Sequence, residues 1–198
     1  KAFQEYLKEK FHGDIGELNR AYWTTFWSHT YDRFDQIEPP GALTETGIHG
    51  LNLDWKRFIT RQTISFIENE IAPIREHCPH LPVTTNMMYE FTDLDYHKVA
   101  QVLDFASWDS YPEWHNGDDT VIAQRAAFWH DVYRSLKQKP FLLMESTPSG
   151  VNWKPFNKPK KPGIDVLSSL QAIAHGSDSV QYFQWRKSKG GHEKYHGA

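Results

Sequence analysis

The chain has 198 residues, 39% of them hydrophobic and 15% aromatic, enough apolar mass for a sizeable core within the size range of one domain. A formal charge of -3 with both signs interspersed excludes the basic footprint of a nucleic-acid binder and the acidic tail of a disordered segment, so an uncharged partner is expected. A single cysteine, Cys78, excludes an internal disulfide, and no apolar run approaches the roughly 20 residues that span a bilayer, so the reading is no membrane partner and a reducing, cytoplasmic setting.

The chain opens at Lys1 inside a helix-like run over residues 1–7, with neither an initiator Met nor a signal-peptide pattern, which reads as a start within a longer protein. Helical periodicity continues over 17–34 and again over 51–77, where Leu51, Trp55, Phe58, Ile59, Ile64, Phe66, Ile67 and Ile71 recur at three- and four-residue steps. Between them, residues 38–50 hold Pro39, Pro40, Gly41 and Gly47, the composition of an exposed loop.

After Pro82 the texture changes to short apolar runs alternating with helical stretches. Strands are expected at 83–85, 105–108, 141–144 and 180–185, and helices at 96–103, 120–136 and 165–175, with a Pro/Gly/Lys loop running through Gly163. Short buried strands separated by helices call for a parallel sheet, which an open doubly wound fold and a closed barrel both supply. Polar or aromatic groups follow each strand, at Asn86, at Asp109, Ser110 and Tyr111, at Glu145 and Ser146, and at Arg186; decorated strand ends favour a (β/α)8 barrel. No glycine-rich phosphate-binding turn is present. A closed barrel needs eight strands and only four are visible, so the expected fold class is α/β, half of a TIM barrel.

The sharpest chemical signal is Glu145, directly after the apolar run Phe141-Leu142-Leu143-Met144. A carboxylate there must be paired, hydrogen-bonded or functional, because desolvating an unpaired one is expensive. The plainer reading is a surface Glu capping a strand. A retaining glycosidase uses such a Glu, held rigidly at a barrel mouth, to attack an anomeric carbon. Eight Trp, nine Tyr and twelve Phe suit sugar stacking, although most aromatics fill cores. His192-Glu193-Lys194-Tyr195-His196 spells HExxH, the helical zinc-protease signature, but Gly190, Gly191 and Gly197 flank it and argue against the helix that signature needs.

Five blocks carry a specific resemblance: residues 18–23 with Phe26-Trp27-Ser28; 83–86; 104–112; 144–155; and 182–186 with 190–197. Together they resemble, in register over essentially the whole chain, the β-galactosidases of glycoside hydrolase family 42. The resemblance implies that residues 1–198 form a partial catalytic (β/α)8 domain, from helix 4 through the loop after strand 8, and so contain strands 5–8. It implies that Glu145 is the nucleophile ending strand 7, that Tyr111 after strand 6 orients it, that Trp27 and Trp153 line the galactose subsite, and that Glu193 and His196 bind sugar hydroxyls. The plainer alternatives are that Trp27 packs a helix against the barrel and that Tyr111 anchors a loop.

The departures matter too. In the family the acid/base is the Glu of an Asn-Glu pair ending strand 4, and that Glu is absent here; Asn69-Glu70 sits in a long helical repeat and reads as surface. The first-strand Arg that contacts the sugar and the zinc-binding cysteine cluster of some relatives are absent as well, so no cofactor and no metal are expected. The resemblance implies a β-galactoside substrate, retention by double displacement, an inactive fragment when alone, and a homo-oligomer, a trimer in relatives. The competing reading is a non-catalytic carbohydrate-binding or scaffold module derived from such a barrel.

Overall fold

The structure is a computed structural model that describes residues 1–41, 47–89, 91–114 and 117–198. It divides into two compact units, residues 1–70 with 92–99, and residues 71–91 with 100–198.

The first unit is helical. Helix α1 (Ala2–Lys10) and α2 (Ile15–Tyr22) precede the 29-residue α3 (His49–His77), which runs on into the second unit. Apolar residues at helical spacing, Phe3, Leu7 and Phe11 from α1 and its C-cap and Leu51 and Phe58 from α3, close a core with Leu18, Ile37 and Ile48. Asp54, 1% exposed in this core, is held by Lys10 Nζ (2.6 Å to Oδ1), the Tyr22 hydroxyl (2.5 Å) and Arg57 (3.1 Å), so the buried charge is fully met.

The helix expected over 17–34 stops at Tyr22. Trp23 is left-handed (φ 53°), as are Trp27 (φ 56°) and Ser28 (φ 59°), backbone that large side chains rarely adopt. Asn19 explains the break. Its Nδ2 donates to Tyr31 O (2.7 Å), and its Oδ1 accepts from Tyr31 N (3.0 Å) and from the Thr24 hydroxyl (2.6 Å). One side chain thus ties a loop in place, and the apolar spacing of Trp23, Phe26 and Trp27 marks exposed rings rather than a helix face. The loop expected over 38–50 lies partly outside the described residues; α3 begins within its last two positions, at His49.

The second unit is built on a four-stranded parallel sheet in the order β1 (Asn86–Met88), β2 (Ser107–Asp109), β3 (Phe141–Ser146) and β4 (Ser177–Tyr182). Along the chain the short helix α4 (Tyr96–Gln101), whose residues 96–99 belong to the first unit, then α5 (Asp119–Lys137) and α6 (Ile164–Ala174), separate successive strands. Strands adjacent in sequence are adjacent in space throughout, which is barrel order; a doubly wound sheet reverses direction at a switch point.

Helix α5 is capped by Asp118, whose carboxylate accepts from Thr120 N (2.8 Å) and Val121 N (3.2 Å). Its inner face packs on the sheet: Tyr133 stacks on Trp108 at 4.7 Å between ring centroids, and His130 on Phe141 at 5.6 Å.

Three strands are displaced from the sequence expectation. Residues 83–85 do not pair as a strand, because they are tied to the start of β2 by side chains: Val83 N donates to Asp104, Thr84 Oγ1 to Phe105 O (2.8 Å), and Ser107 Oγ to Thr85 O (2.9 Å). The ladder begins only at Asn86. At the other end, β4 covers 177–182 rather than 180–185; Phe183 N makes a last bond to Ser146 O (2.8 Å) and the chain then turns away. Strand β2 likewise sits at 107–109, slightly later than expected. Among the described residues no helix is long and apolar enough to cross a membrane.

Candidate active site

Glu145 owes its direction to an irregularity in β3. In a regular strand successive side chains alternate, so Glu145 would share the face of Phe141 and Leu143, the face packed on α5. The pairing with β2 runs Ser107 to Leu142, Trp108 to Leu143, then Asp109 to Glu145, leaving Met144 unmatched. One extra residue in β3 moves Glu145 to the face of Ser107 and Asp109, opposite the helices. Such bulges re-aim side chains and cluster beside active sites.

Two donors hold the carboxylate. The Tyr111 hydroxyl donates to Oε2 at 2.5 Å, and Asn86 Nδ2 donates to Oε1 at 3.2 Å. Burial, the hydrogen bond to Glu145 and the charges of Glu145, Asp109 and Glu193 all push the Tyr111 phenol above its ordinary range, so it stays a donor through neutral pH. Tyr111 is itself fixed from behind: its backbone N–H donates to the Tyr89 hydroxyl at 3.0 Å.

Around Tyr111 stand the other sequence candidates of this unit. The Trp153 ring meets it edge-on at 5.0 Å, and the His196 ring at 5.2 Å; Trp153 and His196 are 5.2 Å apart, so the three rings form a triangle. Phe183 closes on His196 from the other side at 4.8 Å. His196 is 2% exposed, shares a 3.1 Å contact between Nδ1 and Glu193 Oε2, and leaves Nε2 buried without a partner among the described residues. An orphaned polar atom of this kind invites a ligand hydroxyl.

The segment carrying His196 is pinned by backbone. Gly150 and Gly197 form an isolated antiparallel bridge, the Ser149 hydroxyl donates to Gly197 O at 2.5 Å, and Ala198 N donates to Gln184 O at 3.0 Å. Gly197 has φ 107°, and a Cβ there would press on the Gln184 backbone, so glycine is required. An ion pair between Lys154 and Glu113 ties the loop after β3 to the loop after β2. Beside Tyr111 and Trp153 opens a groove of about 920 Å³, lined also by Tyr89, Glu113, Arg125 and Trp129.

Glu145, Tyr111, Trp153, Glu193 and His196 therefore come together at the C-terminal ends of parallel strands. Trp27 belongs to the first unit, where it is 78% exposed and lies 5.3 Å from the Phe26 ring. The sequence reading assigned no site role to Asp109 or to Asn86. Asp109 is 2% exposed, accepts from Asn86 Nδ2 at 2.7 Å, and has its pKa pushed up to about 6 by burial, with the Asn86 bond opposing and the Glu145 charge adding to the rise. The signal was its place at a strand end, two residues before Tyr111. His115, in the loop four residues after Tyr111, lies outside the described residues. The HExxH residues lie in turns rather than a helix, and the described residues contain no group of three or more side chains placed to hold a metal. Asn69 and Glu70 are exposed within α3.

The family model of glycoside hydrolase family 42, described as beta-galactosidase, matches residues 1–198. The chain belongs to this family. Beta-galactosidase GalA of Bacillus licheniformis is 57% identical and beta-galactosidase GanA of Bacillus subtilis 56% identical, each over all of this chain. A catalytic mutant of Gan42B, a GH42 beta-galactosidase from G. stearothermophilus, superimposes on the whole chain with a TM-score of 0.94 at 58% identity, and the cold-adapted beta-galactosidase from Rahnella sp. R3 on 99% of it with a TM-score of 0.95 at 57% identity. The chain spans 30% of the length of these Bacillus relatives, 30% of the Gan42B chain and 29% of the Rahnella chain. With the parallel sheet, these matches identify the second unit's strands and helices as part of an α/β TIM barrel.

Proposed function

We propose that the protein to which this chain belongs is a retaining exo-β-galactosidase and that Glu145 is its nucleophile. The observation that carries this reading is the bulged turn of Glu145 onto the face of Asp109, where Tyr111 and Asn86 each donate to one carboxylate oxygen. Both oxygens are oriented, and neither donor is a cation that would neutralise the group outright. Residues 1–198 would be strands 5–8 of the barrel with their helices, from helix 4 through the loop after strand 8.

In the first step a Glu145 oxygen forms a bond to the anomeric carbon as the bond to the leaving oxygen breaks, the leaving group taking a proton from an acid that residues 1–198 do not supply. In the second, water deprotonated by that same group displaces Glu145, restoring the starting configuration. Tyr111 keeps its proton and holds the carboxylate in line. Trp153 supplies an apolar wall for the galactose ring. His196, with Nε2 unoccupied, and Glu193, which fixes its Nδ1, are suited to sugar hydroxyls. The chemistry needs no cofactor and no metal; the zinc cysteine cluster of some relatives lies outside this chain. A homo-oligomer, a trimer as in relatives, and a cytoplasmic setting complete the proposal.

The test is mass spectrometry of the full-length protein after exposure to a 2-deoxy-2-fluoro-β-galactoside with a good leaving group. A stable galactosyl adduct on Glu145 is expected. An intact protein without adduct favours a non-catalytic carbohydrate-binding or scaffold role. Residues 1–198 alone should show negligible turnover, because one carboxylate of the required pair is missing.

A further inference from the structure

Asp109 is the buried acid that the double displacement above leaves unused. One of its oxygens accepts from Asn86 Nδ2 at 2.7 Å; the other, Oδ1, is buried with no hydrogen-bond partner among the described residues. Half-satisfied buried carboxyls are costly and call for an explanation. The same Asn86 nitrogen that Asp109 engages also donates to Glu145 Oε1 at 3.2 Å.

Resting on the reading of Glu145 as nucleophile, we infer that Asp109 is a positioning residue that aims Glu145 through Asn86. An amide nitrogen carries two hydrogens, and here each has its own acceptor. An unanchored asparagine can flip, presenting its oxygen rather than its N–H groups to a carboxylate. Ionised Asp109 only accepts, so an Asn86 oxygen turned toward it is repelled, and the flip that serves Glu145 is the one retained. The strand pairing fixes the three residues relative to one another: Asn86 on β1, Asp109 on β2 and Glu145 on β3 lie on three neighbouring strands, with Asp109 directly opposite Glu145.

The arrangement also sets the charge state of Asp109. Oxygens hydrogen-bonded to one nitrogen are within about 6 Å of each other, so the Glu145 charge disfavours ionisation of Asp109. The titratable groups that enter this environment are Glu145 from β3, Tyr111 from the loop after β2 and, acting on Tyr111, Glu193 from the C-terminal segment. Protonated Asp109 can donate as well as accept, and it no longer selects the Asn86 orientation. The role is therefore tied to pH near 6, where burial has placed the Asp109 titration.

The experiment follows the rate of fluorogalactoside labelling against pH in the full-length protein and in its Asp109→Asn, Asp109→Ala and Asn86→Ala variants. An activated aryl leaving group removes the need for acid assistance, so the acid limb reports the groups that hold the attacking carboxylate. In Asp109→Asn the limb near pH 6 is expected to disappear, because the group that titrates there has been removed. The plateau rate is expected to drop about tenfold in Asp109→Ala and Asn86→Ala and to recover in part in Asp109→Asn, with the inhibitor's dissociation constant unchanged. Labelling of Glu145 in the parent with the same midpoint in Asp109→Asn and an unchanged plateau in Asn86→Ala overturns this inference alone. Absence of label in the parent overturns the nucleophile assignment, and this inference with it.

Discussion

The Tyr111 phenol donates to Glu145 Oε2 at 2.5 Å, while its ring stands edge-on to Trp153 at 5.0 Å and to His196 at 5.2 Å. One residue thus touches both the proposed nucleophile and the proposed sugar wall. Tyr111→Phe keeps the ring contacts and removes the donor. A hydrogen bond to a charged group contributes roughly 1.5–3 kcal/mol, so the glycosylation rate of the full-length protein should fall about 10- to 100-fold with little change in KM. Single-turnover kinetics with an aryl β-galactoside check this; a rise in KM at constant kcat would place Tyr111 in binding instead.

Trp153 is 52% exposed, and its outer surface is the part available to a substrate. Trp153→Ala should raise KM by about tenfold, the loss of one aromatic wall being on the order of 1–2 kcal/mol, and Trp153→Phe should recover part of it. Steady-state kinetics on both variants make the comparison. Equal defects in the two would point to loss of the Tyr111 contact rather than of the wall.

Gly197 holds the His196 segment against Gly150 and Gln184 in a conformation closed to other residues. Gly197→Ala should shift His196 and weaken galactose binding while leaving the helical first unit, and hence far-UV dichroism, nearly unchanged. Calorimetric titration with galactose reads the loss.

Two buried groups give stability opposite pH dependences. His130, 2% exposed between Trp108 and Phe141, has its pKa lowered to about 4 by burial, with the neighbouring His175 adding to the effect and Asp131 opposing. A histidine depressed from about 6.5 must be deprotonated to stay folded, so its stability contribution is present above pH 6.5 and is lost as pH falls toward 4, up to about 3 kcal/mol. Asp109 is raised from 3.8 to about 6, so the folded state favours its neutral form; that advantage is full below pH 4 and is lost as pH rises through 6. His130→Gln should flatten the acid-side loss of stability, and Asp109→Asn should steepen it. Denaturant titrations between pH 4 and 7 show both signs.

Much of this was legible in the sequence because it depended on local pattern. The apolar run Phe141-Leu142-Leu143-Met144 ending in Glu145 announces a buried strand with a carboxylate at its tip, and α3 follows its three- and four-residue spacing. The failures were decided by contacts distant in sequence. Asn19 captures Tyr31 and ends α2 where ring spacing alone continues it. Asp104 and Ser107 tie down residues 83–85 and delay β1 to Asn86. The bulge at Met144 was invisible for the same reason, since it exists only relative to β2, and with it the meeting of Asp109, Asn86 and Glu145. Alternation read from β3 alone puts Glu145 on the helix side.

The role of Glu145 is tested most directly by replacing it with glycine in the full-length protein and supplying azide with an activated aryl β-galactoside. If Glu145 attacks the anomeric carbon, azide enters the space its carboxylate vacates, and the product is α-galactosyl azide, formed with inversion. A β-galactosyl azide would mean that Glu145 is the acid/base instead, and an aryl galactosidase rate unaffected by the substitution would contradict any catalytic part for it.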